Sequence, residues 1–317
     1  FFIACMKNNQ NLAAELLKRD ANINHCNKDG ETSLLQACYS NSTSIALWLL
    51  DQGADPNIGK PNGFMPLHWA CRHGQFQLAL KLLMCGAEID ARTENGDTPI
   101  MFLPDEPGND STLRKALIDR NADMTSHFFG NYTPLHHICA SAKTVDTAYK
   151  ASIEVEALCR RGADVNAVSD EFQMTPLHIA LERSPLSDEI VFTLVNYGAD
   201  FNAATIDGST PLLRACFHEN ITLVEYLIEK NAKVMVQDNR GYTCMHWACC
   251  RGSLEMVKLL LNTKDGTHLC KLPNDQGFPP HLFVDREKNQ GKEIYALMQE
   301  NGADEKVFKQ LRLNMMA

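Results

Sequence analysis

The residues best able to do chemistry in this sequence are histidines and cysteines. Cys244, His246, Cys249 and Cys250 form the run C-x-H-x-x-C-C, and thiolates and an imidazole within one helical turn are donors that zinc takes. His68, His136, His178 and His246 recur in one local context, which invites a search for a general base and a nucleophile it could activate. No serine or cysteine pairs with any of them in a distinct motif. There is also no G-x-x-x-x-G-K-[ST] loop and no G-x-G-x-x-G after a strand, so nucleotide binding has no motif to rest on.

Composition bounds the remaining classes. With 317 residues, 44% of them hydrophobic and 22% charged, the chain has the makeup of folded protein with a large core. Thirty basic and 39 acidic residues leave a net charge of −9, which argues against a phosphate-binding surface and for basic or apolar partners. No apolar run reaches the roughly 18–20 residues a membrane span needs, and FFIACMKNNQ lacks the flank and cleavage site of a signal peptide. The expected location is cytosolic or nuclear. Twelve cysteines spread along the chain, Cys249 and Cys250 adjacent, read as reduced thiols. Phe1-Phe2-Ile3 reads as the start of a piece cut from a longer polypeptide.

Whatever the histidines do, a repeat positions them. PNGFMPLHWACRHG, FQMTPLHIALE, DGSTPLLRACFHEN and RGYTCMHWACCRGS are copies of one pattern, closed in four repeats by Gly-Ala-Asp. Its turn position falls at Gly30, Gly63, Gly96, Asn131, Gln173, Gly208, Gly241 and Gly277, with spacings of 33, 33, 35, 42, 35, 33 and 36. Thr32, Thr98, Thr133, Thr175, Thr210 and Thr243 are expected helix caps, with Pro99, Pro134, Pro176 and Pro211 at the first helical position. Gly53, Gly86, Gly162 and Gly198 are expected stops of second helices. Leu254, Val257 and Leu261, and likewise Ile221, Val224 and Ile228, give apolar stripes at helical spacing that one repeat cannot cover alone.

Period, Thr-Pro-Leu-His and Gly-Ala-Asp together resemble the ankyrin repeat over essentially the whole chain. The resemblance implies an all-α curved solenoid with short β-hairpins, each repeat being one hairpin and two antiparallel helices. The expected organisation is a single domain over 1–317. Its repeats run 1–26 (partial), 27–59, 60–92, 93–127, 128–169, 170–204, 205–237, 238–273 and 274–304, with 305–317 as a cap. The resemblance also assigns the recurring histidine a bond to backbone in the adjoining hairpin, and it places Asn57, Asn166 and Asn202 where ankyrin proteins can be hydroxylated. Cys38, Cys71, Cys139, Cys216 and Cys249 each lie six residues after the helix-opening Thr or Met, as small packing residues would. His246 and Cys249 thus have structural roles that compete with zinc, and no metal or cofactor is expected.

Several places depart from the pattern. Pro104 and Pro107 fall where a first helix should continue and should shorten it to a turn. The stretch from Thr133 to Gly162 is eight residues longer than the 21-residue interval of regular copies, which should lengthen helices or their connection. Smaller insertions sit at Ser184-Pro185 and Glu287-Lys288-Asn289. Pro279-Pro280 replaces Thr-Pro in the last repeat, which reads as a degraded cap.

In the resembled family, partners dock on the concave face of hairpin tips and first helices. Alignment puts Phe64, Trp69, Arg72 and His73 there, then Phe128, Phe129 and Tyr132, then Phe172, Met174 and Asp207, and finally Phe217, Arg240, Tyr242, Trp247 and Arg251. Aromatics on a rigid scaffold make interface anchors. For Phe128 and Phe129, packing over the Pro104–Pro107 segment is an equal alternative; for Trp69 and Trp247, packing with the indole edge exposed is favoured. The implied function is non-catalytic binding of a protein or peptide segment, without nucleic acid or membrane insertion. A second reading is a regulatory or substrate-recruiting module of a larger enzyme or channel. A third is a sensor stacking a small ring.

Overall fold

A computed structural model describes residues 1–104, 110–123, 131–142, 144–182, 187–287 and 289–303. Its contacts group the chain into two bodies, residues 1–141 with 150–167, and residues 142–149 with 168–317. In the first body, helix pairs follow one another as Phe2–Met6 with Gln10–Leu17, Ser33–Tyr39 with Thr43–Asp51, and Pro66–Arg72 with Phe76–Met84. A 3-10 turn Pro99–Phe102 with Asp110–Asp119, and the helix Pro134–Ala140, complete the series. The second body pairs Pro176–Leu181 with Asp188–Asn196, Pro211–Phe217 with Ile221–Glu229, and Cys244–Arg251 with Leu254–Leu261. It closes with a 3-10 turn Pro280–Phe283 and the helix Asn289–Glu300.

The starts and stops have local causes. Thr32 and Thr210 hold extended backbone, and their hydroxyls accept the N–H of Leu35 (3.1 Å) and Leu213 (3.4 Å). Thr133, Thr175 and Thr243 cap in the same way, each cap contributing about 1 kcal/mol. The four expected prolines occupy first helical positions. Gly53, Gly86, Gly162 and Gly198 take φ of 85–89° at the stops.

The expected hairpins appear as tight turns closed by two bonds. Lys60 N–H donates to Phe64 O at 2.9 Å and Gly63 N–H to Lys60 O at 2.9 Å; Asp238, Tyr242 and Gly241 repeat the arrangement. Each is too short for a ladder, and no strand forms among the described residues. Neighbouring tips are tied by single backbone bonds, Glu94 N–H to Asn62 O (3.0 Å) and Asp275 N–H to Arg240 O (3.1 Å). Gly241 makes the second tie possible: its φ is 76°, and a Cβ there would stand 2.5 Å from Asp275 N. Gly241→Ala is therefore expected to destabilise by at least about 2 kcal/mol, combining left-handed strain with the clash. A urea midpoint equal to the parent's would refute this.

The core lies between helices. The stripes expected from spacing need correction: in Leu254–Leu261 the buried residues are Met256, Val257 and Leu260, with Leu254 and Leu261 only half-buried. In Ile221–Glu229 they are Leu223, Val224 and Leu227, with Ile221 and Ile228 half-buried. The reason is packing on several sides. Leu254–Leu261 meets Cys244–Arg251 of its own repeat, Ile221–Glu229 before it and Asn289–Glu300 after it, so the covered strip centres between the two expected rows. The five register cysteines are fully buried, as expected, and all twelve cysteines are free thiols.

The irregular repeats also follow from sequence. Pro99–Phe102 is only four residues long and ends before Pro104; Pro107 lies outside the described residues. The eight-residue surplus after Thr133 lengthens the second helix to the 16 residues Val145–Arg160. From that helix Glu154 accepts a hydrogen bond from Arg114 at 3.0 Å, both side chains buried. Such a pair orders its two helices more than it stabilises them. The insertion at Ser184-Pro185 lies outside the described residues.

Candidate functional site

In the first body the tip of one repeat and the first helices of three gather rings. The edge of Tyr39 meets Trp69 at 4.8 Å and 89°, Trp69 stacks on Phe64 at 5.1 Å and 30°, and Phe64 tilts against Phe102 at 5.2 Å and 60°. The Arg72 guanidinium lies 5.6 Å from the Trp69 ring centre and Lys60 Nζ lies 4.9 Å from that of Tyr39. His73 stacks on Trp69 at 6.3 Å, and its Nε2 is 3.1 Å from Tyr39 O. Phe64, Trp69, Arg72 and His73 are thus brought together. The indole N–H of Trp69 is shielded from solvent and has no acceptor among the described residues.

The second body builds the same ladder. The edge of Phe217 meets Trp247 at 4.9 Å and 88°, Trp247 stacks on Tyr242 at 5.1 Å and 28°, and Tyr242 tilts against Phe283 at 5.4 Å and 55°. Arg251 lies 4.6 Å from the Phe217 ring centre, and Arg240 lies 5.3 Å from Tyr242 and 5.8 Å from Trp247. Phe217, Arg240, Tyr242, Trp247 and Arg251 converge. Offset and edge-to-face rings are mutually favourable, and cations over their faces add to this.

Tyr39, Phe102 and Phe283 belong to the ladders, although the sequence did not single them out. Register could have found them: Tyr39 and Phe217 both stand seven residues after the helix cap, and Trp69, Phe102, Trp247 and Phe283 all stand four after it.

The remaining expected residues are less gathered. Tyr132 lies against His136 at 4.9 Å, while Phe128 and Phe129 lie outside the described residues. Phe172 is 52% exposed at its tip, and its carbonyl accepts the N–H of Ile206, itself 56% exposed, at 3.0 Å. Met174 is half-buried and closes its own turn with Ser169. Burial works against ionisation of Asp207, yet the Thr205 hydroxyl and Arg214 hold its carboxyl below the usual value.

The histidines are committed to backbone. His68 Nδ1 accepts the N–H of Met65 at 3.0 Å while Nε2 donates to Asp97 O at 3.2 Å. His246 does the same with Thr243 N–H (3.0 Å) and Phe278 O (3.0 Å). His136 and His178 likewise accept the N–H of Thr133 and Thr175 on Nδ1. An imidazole whose lone pair already takes a backbone proton is no general base. Burial lowers the pKa of His68 and of His178 to about 4, and that of His246 in the same direction. The cluster C-x-H-x-x-C-C does not converge: Cys244 and Cys249 face the core, Cys250 is exposed and His246 is spent on backbone. Among the described residues no three such side chains come together for a metal. Asn57 Oδ1 accepts the N–H of Glu88, and its Nδ2 donates to Gly86 O, so it laces successive repeats.

The sequence pattern described as "Ankyrin repeats (3 copies)" matches residues 1–93, 105–205 and 186–271. The chain belongs to the ankyrin-repeat family. Its ankyrin repeats are similar to part of neurogenic locus notch homolog protein 1 of Xenopus laevis, 31% identical over 151 residues, covering 45% of this chain and 6% of that protein. Tyrosine-protein kinase HTK16 of Hydra vulgaris matches at 30% over 136 residues, 42% of this chain and 17% of the relative. Ankyrin repeat protein nuc-2 of Neurospora crassa matches at 28% over 158 residues, 50% of this chain and 14% of the relative. The chain therefore covers less than a fifth of each of these relatives. Ankyrin repeats are in general protein-interaction modules. No helix among the described residues is long and apolar enough to cross a membrane.

Proposed function

We propose that the chain is a non-catalytic binding module that holds a segment of another protein, or of its own parent chain, against turn tips and first helices. The observation that carries this reading is the pair of ring ladders, each mounted on tied turns and packed helices. Rings held so rigidly lose little entropy when a partner covers them. A second reading has one specific support: a relative named a tyrosine-protein kinase contains a similar stretch. On that reading the repeats recruit substrate to, or regulate, a catalytic or channel part elsewhere in a longer chain. In both readings 1–317 is one domain with the repeat boundaries given above, working in a reducing compartment, cytosol or nucleus.

The test is to select linear peptides from a random display library against the whole chain and map their binding by amide exchange. Protection is expected at residues 60–73, 205–218 and 238–251. Protection confined to the outer faces of second helices would refute the placement. Phe172→Ser, at an exposed tip, is expected to weaken tip-bound peptides while stability stays within about 0.5 kcal/mol of the parent. A lowered melting temperature would instead make Phe172 a packing residue.

A further inference from the structure

The ring contacts of the two ladders match one for one, and the stacking of repeats does not require this. The place held by Trp69 and Trp247 holds Arg214 and His137 in other repeats. There Arg214 pairs with Glu182 and Asp207, and His137 reaches Leu103 O at 3.3 Å. Other repeats therefore use ions or a single hydrogen bond at this place.

The cations do not follow repeat register either. Arg72 stands seven residues after its cap and Arg251 eight, while Lys60 and Arg240 come from different turn positions. They nonetheless divide alike. Lys60 is paired with Glu31 at 2.8 Å and Arg240 with Asp238 at 3.5 Å. Arg72 and Arg251 have no carboxylate within ion-pair distance among the described residues, and each lies over a ring. A guanidinium resting on a ring has lost rotamer freedom yet keeps its forked N–H donors, the geometry that grips a carboxylate bidentately.

We infer that the chain carries two docking sites for one short motif: an Asp or Glu carboxylate taken in the first ladder by Arg72, which lies over Trp69, and in the second by Arg251, which lies over Phe217, with a neighbouring apolar side chain laid along the ring edges. This rests on the binding-module reading and names the partner's chemistry, a short extended segment that bears the motif once and binds separately at each ladder. The net charge of −9 opposes a long acidic run, but screening over about 8 Å at physiological salt leaves local pairing intact. The motif is thus one or two carboxylates beside apolar groups, a different class from the basic or apolar partner that total charge suggests.

The chain has three tryptophans, Trp48 in the second helix Thr43–Asp51 and Trp69 and Trp247 in the ladders, so three indole N–H signals report the sites with an internal control. The probe is a blocked eight-residue peptide alternating Leu and Glu at its centre, with a twin carrying Gln for Glu. The Glu peptide is expected to shift Trp69 and Trp247, leave Trp48 unmoved, and bind at two per chain by calorimetry. At subsaturating peptide, Arg72→Gln should diminish the Trp69 response alone and Arg251→Gln the Trp247 response alone. Each should weaken its site about tenfold, as loss of a charged hydrogen bond does, with an unchanged melting temperature. Equal binding of the Gln twin, wild-type binding by the Arg variants, one peptide per chain, or no ladder response would overturn the inference. If library-selected peptides bind the tips without carboxylates, the binding module stands and this inference falls. If no peptide protects any tip, both fall.

Discussion

Val257→Asp is expected to unfold the second body at room temperature, or to leave it barely stable. Val257 is fully buried beside Met256 and Leu260, in a helix packed against four others. The substitution removes about 1.5–3 kcal/mol of apolar burial and leaves a carboxylate with no partner in a space shaped for a methyl group. The total exceeds about 4–5 kcal/mol, the range of the most damaging substitutions, against a stability of about 5–15 kcal/mol for an ordinary domain. In stacked repeats each interface is shared, so loss of one weakens both neighbours. Circular dichroism against urea should show a midpoint near zero denaturant. Leu254→Asp, on the half-buried edge of the same helix, should cost far less, and equal losses at the two positions would restore the stripe read from spacing.

Acidification from pH 6.5 to 4 is the second large effect. His68 and His178 titrate near 6.5 when unfolded and near 4 when folded, because burial disfavours the imidazolium; His246 moves the same way. Between those values the unfolded chain binds protons that the folded chain does not, so stability rises with pH through this window and falls as pH is lowered. At pH 4 each of the two histidines will have withdrawn on the order of 3 kcal/mol. Asp97 and Asp188, whose carboxyls burial raises, act in the opposite sense. Calorimetry near pH 5 in buffers of different ionisation enthalpy should show unfolding take up about two protons from the histidine pair. Proton release, or a urea midpoint unchanged from pH 6.5 to 4.5, would contradict the burial of uncharged imidazoles.

Much of this was legible in the residues, for reasons that vary by element. Thr-Pro marks a helix start because both residues act through their own backbone, so Thr133-Pro134 and Thr175-Pro176 need no tertiary knowledge. Pro104 ends its helix equally locally. The apolar stripes were misread by one row because spacing reports a single face, while Leu254–Leu261 is covered on several sides. The ladders were half legible. Phe64, Trp69, Tyr242 and Trp247 belong to clear copies of the repeat. Tyr39 stands in a repeat reading TSLLQAC, and Phe102 and Phe283 follow Met101 and Leu282 in repeats without the histidine. Their membership depends on which residue of one helix faces which residue of the next, an offset that no single-repeat pattern contains.

Both ladders end on a four-residue 3-10 turn where other repeats carry a longer helix. The terminal ring survives because the fourth position after the cap still falls within a single turn of backbone. One turn is thus the minimum scaffold for a closing rung, and whatever chain follows is released from that duty. An engineer could graft a foreign loop after the buried Leu103 or Val284 and expect the preceding rings to keep their stacking.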